Sequence, residues 1–292
     1  AAINQGYNTN YLSDRYCCQR SKRLINGIHA LMTTVLKRNK WEIWRDVIFA
    51  LFAREIRTGF NDKFGLSWAV VNPVVFIFVL SFIRGRLSGG ETHTIPTFTF
   101  MAIGILFIQS FLQTMGGSAK AISKNKALFA FRQVQPISAV IAGAMFQLLV
   151  KIFVITGIVI IMYFMEMDIQ ISDPLLFLAC FLSLWLFAIS LGLMFGIAEI
   201  FVKEIGKIRE LLTRPLFFIS GVFFSLQDFP REYWHYLDWN PILHAIELAR
   251  YSTHSTYGHE GVSLTFLVIC VLTFTFLALA IYHVSWKQAI SR

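Results

Sequence analysis

The stretch with the most chemistry in it is AKAISKNKALFAFRQVQP, residues 119–136. It holds Lys120, Lys124, Lys126 and Arg132, no acid, and has long apolar runs on both sides. An excess of lysine and arginine resists translocation, which places this segment on the cytoplasmic side of a membrane. Ile122, Leu128, Phe129 and Phe131 are interleaved with the cations, a spacing that predicts a short helix over about 119–132. Two uses fit such a helix: it fixes topology as a solvated loop, or it presents cations and rings to a soluble partner. Spacing leaves both open.

Three further groups carry chemistry. Tyr233, Trp234, Tyr236 and Trp239 form a ring cluster. Rings gather at membrane interfaces, and ring faces also attract the polarised C–H faces of sugars, so a belt and a sugar-stacking surface both fit. Lys151 is a lone cation deep in an apolar run. A charge at that depth costs about 3 kcal/mol, so it faces a channel or partner, or it settles against Gln147. Arg54 and Arg57 suit an anion at the membrane surface, such as a lipid headgroup or the phosphate or carboxylate of a substrate.

Catalytic patterns are missing. No G-x-x-x-x-G-K-[ST] occurs, and Gly206-Lys207 lacks both the leading glycine and the hydroxyl. His235, His244, His254 and His259 with Glu247 and Glu260 match no metal-ligand spacing. Glu166-x-Asp168 sits in a turn too short to build a metal site. Cys17, Cys18, Cys180 and Cys270 give neither a disulfide framework nor a CxxC pair.

The elements that must position these groups follow from composition. Of 292 residues 56% are hydrophobic and 15% charged, the balance of a polytopic membrane protein. The net charge of +9 then reads as positive-inside bias and contact with anionic lipid or substrate, not nucleic acid. The expected fold is all-α, with six transmembrane helices at about 66–83, 95–115, 136–165, 174–198, 211–226 and 262–286. The run at 211–226 is short enough to be re-entrant. Residues 1–39 form a cytoplasmic extension with no cleaved signal. Residues 40–63 have the i, i+3, i+4 stripe of an amphipathic helix lying in the membrane interface. Residues 64–292 form the transmembrane domain, with both termini cytoplasmic. Gly192 and Gly196 allow close helix contact, within one chain or between two. Asn240 is placed to cap a helix starting at Pro241.

The residues themselves carry a resemblance. ALFAFRQVQP, residues 127–136, is similar to the coupling-helix region of the ABC-2 permeases that export capsular polysaccharide. The likeness runs from Phe52-Ala53-Arg54-Glu55-Ile56-Arg57 almost to the C-terminus, leaving out the first forty residues or so. A second block is Tyr233-Trp234-His235-Tyr236, Trp239-Asn240-Pro241 and Glu247-Leu248-Ala249-Arg250, continued by Gly261-Val262-Ser263-Leu264. The resemblance implies an inner-membrane permease subunit that works as a homodimer. It implies that Lys120, Lys124, Lys126, Leu128, Phe129, Phe131 and Arg132 seat in a dimer of separate ATP-binding subunits. ATP and magnesium then belong to that partner, and this chain holds no cofactor. It also implies a lipid-linked anionic polysaccharide passing Lys151, Tyr233, Trp234, Tyr236 and Trp239, a periplasmic co-polymerase-type partner, and short re-entrant periplasmic helices at about 230–250. An O-antigen or teichoic-acid permease of the same fold is the nearest alternative. A membrane-embedded glycan-modifying transferase is the alternative from another class. It would need a catalytic set inside the spans, where His283 stands alone.

Overall fold

The computed structural model describes residues 39–61, 65–87, 91–93, 95–131, 133–167, 171–254 and 256–291. Residues 1–38 of the predicted extension, Arg132 of the basic segment and Asp168 of the acidic turn lie outside the described residues. The chain divides into two units, Ala1–Ile43 and Trp44–Arg292, and apart from residues 40–43, which open the first helix, the second holds the elements discussed below.

Helix α1, Lys40–Asn61, is the amphipathic stretch of the sequence. Leu51 is buried, with Val47, Ile48 and Phe52 packed around it, while Phe49 stands exposed. Helix α2, Gly65–Leu87, runs on through Pro73 and ends in Arg84 and Arg86, where cations suit the helix dipole. A two-residue antiparallel pair, β1 Glu91–Thr92 and β2 Ile95–Pro96, turns the chain into α3, Thr97–Lys124. Helix α4 spans Pro136–Phe164 and α5 spans Pro174–Phe201, each opened by proline where no amide donor is needed. Asp173 caps α5, its Oδ1 accepting from the amides of Leu175 and Leu176 at 3.1 and 3.0 Å. Helix α6 is Glu204–Ile219, α7 is Pro241–Thr253 and α8 is Leu264–Ser291.

Five of these helices, α2, α3, α4, α5 and α8, are long and apolar enough to cross a membrane. The chain is therefore a mostly helical polytopic membrane protein. At about 1.5 Å per residue, α3 covers some 42 Å, more than the ~30 Å of a hydrocarbon layer. The surplus amounts to about two turns, and the last two turns of the helix carry Lys120 and Lys124. The sequence ends this helix near residue 115 and starts a separate one at 119; in the structure one helix runs through to Lys124. A 3₁₀ turn, Lys126–Ala130, completes the basic segment.

Helix α3 is the axis of the bundle, buried along most of its length and packed by α2, α4, α5 and α7. The Gly192/Gly196 spacing serves this packing. A Cβ on Gly192 would lie 2.5 Å from Ser118 Cβ, and one on Gly196 would lie 2.7 Å from the carbonyl oxygen of Ala119. The small residues of α5 therefore bring it against α3 of the same chain.

Helix α6 ends at Ile219, short of the apolar run that continues to residue 226. Gly221, at φ +72, turns the chain in the left-handed region that glycine alone adopts cheaply. A 3₁₀ turn at Arg231–Tyr236 and then α7 occupy the stretch read as re-entrant. Asn240 caps α7, accepting from the Ile242 amide at 3.0 Å.

Candidate functional site

The two ends of α3 carry the polar chemistry. At its C-terminal end the basic segment divides by burial. Ile122 and Phe129 enter a core with Leu51, Val140, Leu193 and Ile197, while Leu128 packs at its edge. Lys120, Lys124, Lys126 and Phe131 face outward, Phe131 being 65% exposed. Phe129 is thus the anchor of the turn, and Phe131 stands free of the core.

Helix α1 is tied to this end. Lys124 Nζ pairs with Glu55 Oε2 at 2.6 Å, and Arg54 donates to Asn125 Oδ1 and to Glu55 Oε1. Asn125 is buried, its amide donating to the Ala121 carbonyl at 2.7 Å. Arg54 is therefore a fastening between helices, whereas Arg57 is exposed.

Beside the segment, α5 and α6 meet at a corner. Arg209 is buried, its Nε donating to Glu199 Oε1 at 2.8 Å, and Lys120 pairs with Glu210 at 3.2 Å. These residues, with Ser123, Lys124, Lys203, Gly206 and Lys207, line an open cleft of about 690 Å³.

Lys151 lies in α4 with its side chain buried, and its ammonium donates to Gln113 Oε1 of α3 at 2.8 Å. The partner is Gln113, not the Gln147 that lies one turn away on its own helix. A hydrogen-bonding acceptor on the neighbouring span satisfies one of three donors without leaving the bundle.

At the opposite end of α3 the sequence reading missed the main feature. Arg250 of α7 is 0% exposed in its side chain and pairs with Glu247 Oε1 at 2.8 Å. It also donates to the carbonyls of Val222, Phe224 and Phe100 at 3.0, 3.3 and 3.3 Å, and its guanidinium sits 3.5 Å from the Phe100 ring centre. Glu247 Oε2 accepts from Ser225 Oγ at 2.9 Å and from the Tyr257 hydroxyl at 2.7 Å. Burial and the Glu247 charge push the Tyr257 hydroxyl up, so it stays a donor. The knot collects the backbone carbonyls left over where α6 stops. One signal was available: an i, i+3 charge pair inside an apolar helix marks a pair meant to be buried together.

Next to this knot, Tyr233 and Tyr236 line an open apolar cleft of about 410 Å³ with Phe218, Ile219, Phe224, Phe229 and Leu237. Trp234 and Trp239 lie outside that lining, their indole N–H groups held by the carbonyls of Phe229 and Tyr236 at 2.9 and 2.7 Å. Lys151 is not part of this cleft. His244 is engaged at both ring nitrogens, Nδ1 accepting from the Ser263 amide at 2.9 Å and Nε2 donating to the Asp238 carbonyl at 2.6 Å. Burial holds it below the usual histidine range. It is a structural link from α7 to the start of α8, with no nitrogen left for a metal.

A family model described as ABC-2 type transporter matches residues 46–254. The polysialic acid transport protein KpsM of Escherichia coli is 32% identical over 249 residues, covering 85% of this chain and 96% of that protein. The capsule polysaccharide export inner-membrane protein CtrC of Neisseria meningitidis serogroup B is 26% identical over 259 residues, covering 85% and 96%. BexB of Haemophilus influenzae, of the same description, is 26% identical over 239 residues, covering 80% and 88%.

Proposed function

The chain belongs to the ABC-2 type transporter family, and from that premise we propose that it is the membrane subunit of an exporter of lipid-linked capsular polysaccharide in a bacterial inner membrane. The relatives named above supply the substrate class. The energy source is a separate ATP-binding subunit, which carries the ATP and magnesium, since this sequence has no phosphate-binding loop of its own.

The observation that carries the coupling role is the turn at Lys126–Ala130, anchored on buried Phe129 and followed by exposed Phe131. Lys120, Lys124, Lys126, Leu128, Phe129, Phe131 and Arg132 form the contact with the ATPase, Phe129 holding the turn in place from beneath. Because α3 runs unbroken from the turn to the knot, a push on one end reaches the other as a rigid-body shift. Two copies enclose the channel. Helix α6 with the turn after Gly221 provides a sixth, interrupted crossing, and the segment 230–250 dips into the outer leaflet. Both termini are cytoplasmic. Tyr233, Trp234, Tyr236 and Trp239 meet the polymer at the exit, Lys151 stands beside its path, and a periplasmic co-polymerase-type protein receives it. Arg57 meets anionic headgroups, and Arg54 positions α1 behind it.

The test is co-purification. Phe131→Asp leaves the buried anchor intact and is expected to abolish capture of the partner ATP-binding subunit. Unchanged capture sinks the coupling assignment. Phe129→Asp is a poor test, since it also damages the core beneath.

A further inference from the structure

The open face of α3 is polar where a lipid-facing helix would be apolar. From Thr97 to Ile108 every residue of α3 is buried. Beyond that point Gln109, Leu112, Gln113, Gly116, Gly117 and Lys120 are not, and their i, i+3, i+4 spacing sets them on one face. Leu112 is the one large apolar side chain among them. The open residues of other spans are aliphatic instead: Val75 on α2, Ile160 on α4 and Leu272 on α8 are 51, 50 and 60% exposed. Two glutamines turned toward hydrocarbon would be costly, so this face meets water or polar groups. Helices α4 and α6 flank it. Gln147 of α4 lies 3.6 Å from where a Cβ on Gly117 would stand, and Arg209 Nη1 of α6 lies 3.4 Å from one on Gly116. The result is a groove floored by α3 that runs about 16 Å from Gln109 to Lys120, at ~1.5 Å per residue. Its Lys120 end meets the open cleft at the α5–α6 corner.

The hydrogen-bonding capacity left over in the groove identifies its occupant. Lys151, 1% exposed, occupies Gln113 Oε1 at 2.8 Å, which leaves the Nε2 donors of Gln113 for another partner. One turn back, Gln109 Oε1 is buried and has no hydrogen-bond partner among the described residues. A spare donor and a spare acceptor one turn apart suit a molecule whose groups do both, as the hydroxyls of a sugar do. Neutral amides hold such groups without an ionic bond, so a polymer can move past them. A second copy packed directly on this face is disfavoured. Two-fold pairing sets like residues against like, and Lys151 pairs with no carboxylate among the described residues, so each copy would bring an uncompensated charge into the contact. We propose that this groove is the path of the glycan chain through the cytoplasmic half of the membrane, with Gln109 and Gln113 exchanging hydrogen bonds with successive sugars. The proposal rests on the export reading and on its topology, and it adds the residues that meet the polymer before the exit.

The experiment has two arms, both on the full-length chain with its ATP-binding subunit. In the first, Gln109→Cys or Gln113→Cys supplies the sole cysteine, the native four being replaced by alanine, and inverted membrane vesicles are treated with a sulfonated, membrane-impermeant thiol reagent. Both positions are expected to react roughly tenfold faster than Val75→Cys and Ile160→Cys, because a thiolate forms in water and not in hydrocarbon. Reaction no faster than at those two positions overturns the proposal, since lipid or a second copy then covers the face. In the second arm, surface polysaccharide is measured in cells that make the polymer and depend on the introduced chain. Gln109→Leu removes an amide oxygen that bonds nothing else in the chain, so the unfolding midpoint and capture of the ATP-binding subunit should not change. Surface polysaccharide should nevertheless fall roughly tenfold, the worth of one hydrogen bond, and Gln109→Asn should restore most of it. Wild-type levels with Gln109→Leu, or an equal fall with Gln109→Asn, overturn the proposal. Should Gln109→Leu prove unstable, the labelling arm still decides. An unaltered chain that supports no surface polysaccharide would defeat the export reading instead, which separates the two failures.

Discussion

The two ends of α3 solve opposite electrostatic problems. At the Arg250 end one guanidinium and one carboxylate are withdrawn from water together, and carbonyls, a serine and a tyrosine complete their hydrogen bonding. At the Lys120 end the cations outnumber the carboxylates around an open cleft, and the side chains of Lys120 and Glu210 are 62 and 63% exposed. A matched, dry pair tolerates no loss, because whichever partner remains is a charge in a medium of low polarity. An exposed pair such as Lys120 and Glu210 tolerates the loss of one member, because water screens the rest, and buried Arg209 is the exception at this end. The first arrangement fixes geometry. The second stays open to water.

The contrast is broken most directly by Arg250→Leu. It leaves Glu247 buried without its cation and releases the carbonyls of Val222 and Phe224, at an expected cost of about 3–5 kcal/mol. Thermal unfolding of the purified chain measures it, and a loss under about 1 kcal/mol would mean the pair is not dry. The double variant Glu247→Leu/Arg250→Leu should recover part of the loss, since no lone charge remains.

Gly104→Ala comes next. A Cβ there would lie 2.7 Å from Arg250 Nη2, 3.1 Å from the Val222 carbonyl oxygen and 3.2 Å from Val222 Cα. Two of those three neighbours are backbone, so the turn must move, at a cost of about 1–3 kcal/mol. In the Arg250→Leu background the cost should shrink, because both changes disturb the same contacts. Strictly additive losses in the unfolding midpoint would count against the clamp.

How much of this was legible before the structure differs between the two ends. The basic segment and the long spans are local in sequence, so charge and hydropathy reveal them directly, down to the Pro136 start of α4. The Asn240 cap was legible for the same reason, a short polar residue just before Pro241. The end of α6 was not. Hydropathy carries the run on to residue 226, but the chain turns at Gly221, where Arg250 collects the carbonyls from a distant part of the sequence. The extent of α3 was misjudged because the apolar run ends at Met115, whereas the helix carries on through polar residues to Lys124. Phe129 and Phe131 look equivalent in sequence, and the two-residue step between them sends one inward and one outward.

Tyr257→Phe is a smaller probe of the knot. It removes one hydroxyl donor from Glu247 Oε2 but leaves the Ser225 and Arg250 bonds in place. A lost hydrogen bond to a buried charge is worth about 1.5–3 kcal/mol, and the two remaining donors put this case at the lower bound, about 1.5 kcal/mol. The unfolding midpoint checks it, with Ser225→Ala as the companion, expected to be similar.

The smallest effect belongs to the other end. Lys120→Gln removes a cation whose pair with Glu210 is exposed on both sides, so stability should change by less than about 0.5 kcal/mol. What does change is the charge balance. Glu210 loses its nearest cation and lies 3.9 Å from Arg209 Nη2, close enough to draw on a guanidinium already shared with Glu199. The cleft then carries one positive charge fewer, while Lys203 and Lys207 remain. A large loss of stability from this variant would show that the basic end is as dry as the Arg250 end. The difference between a fastening and an open cleft would then have no physical basis.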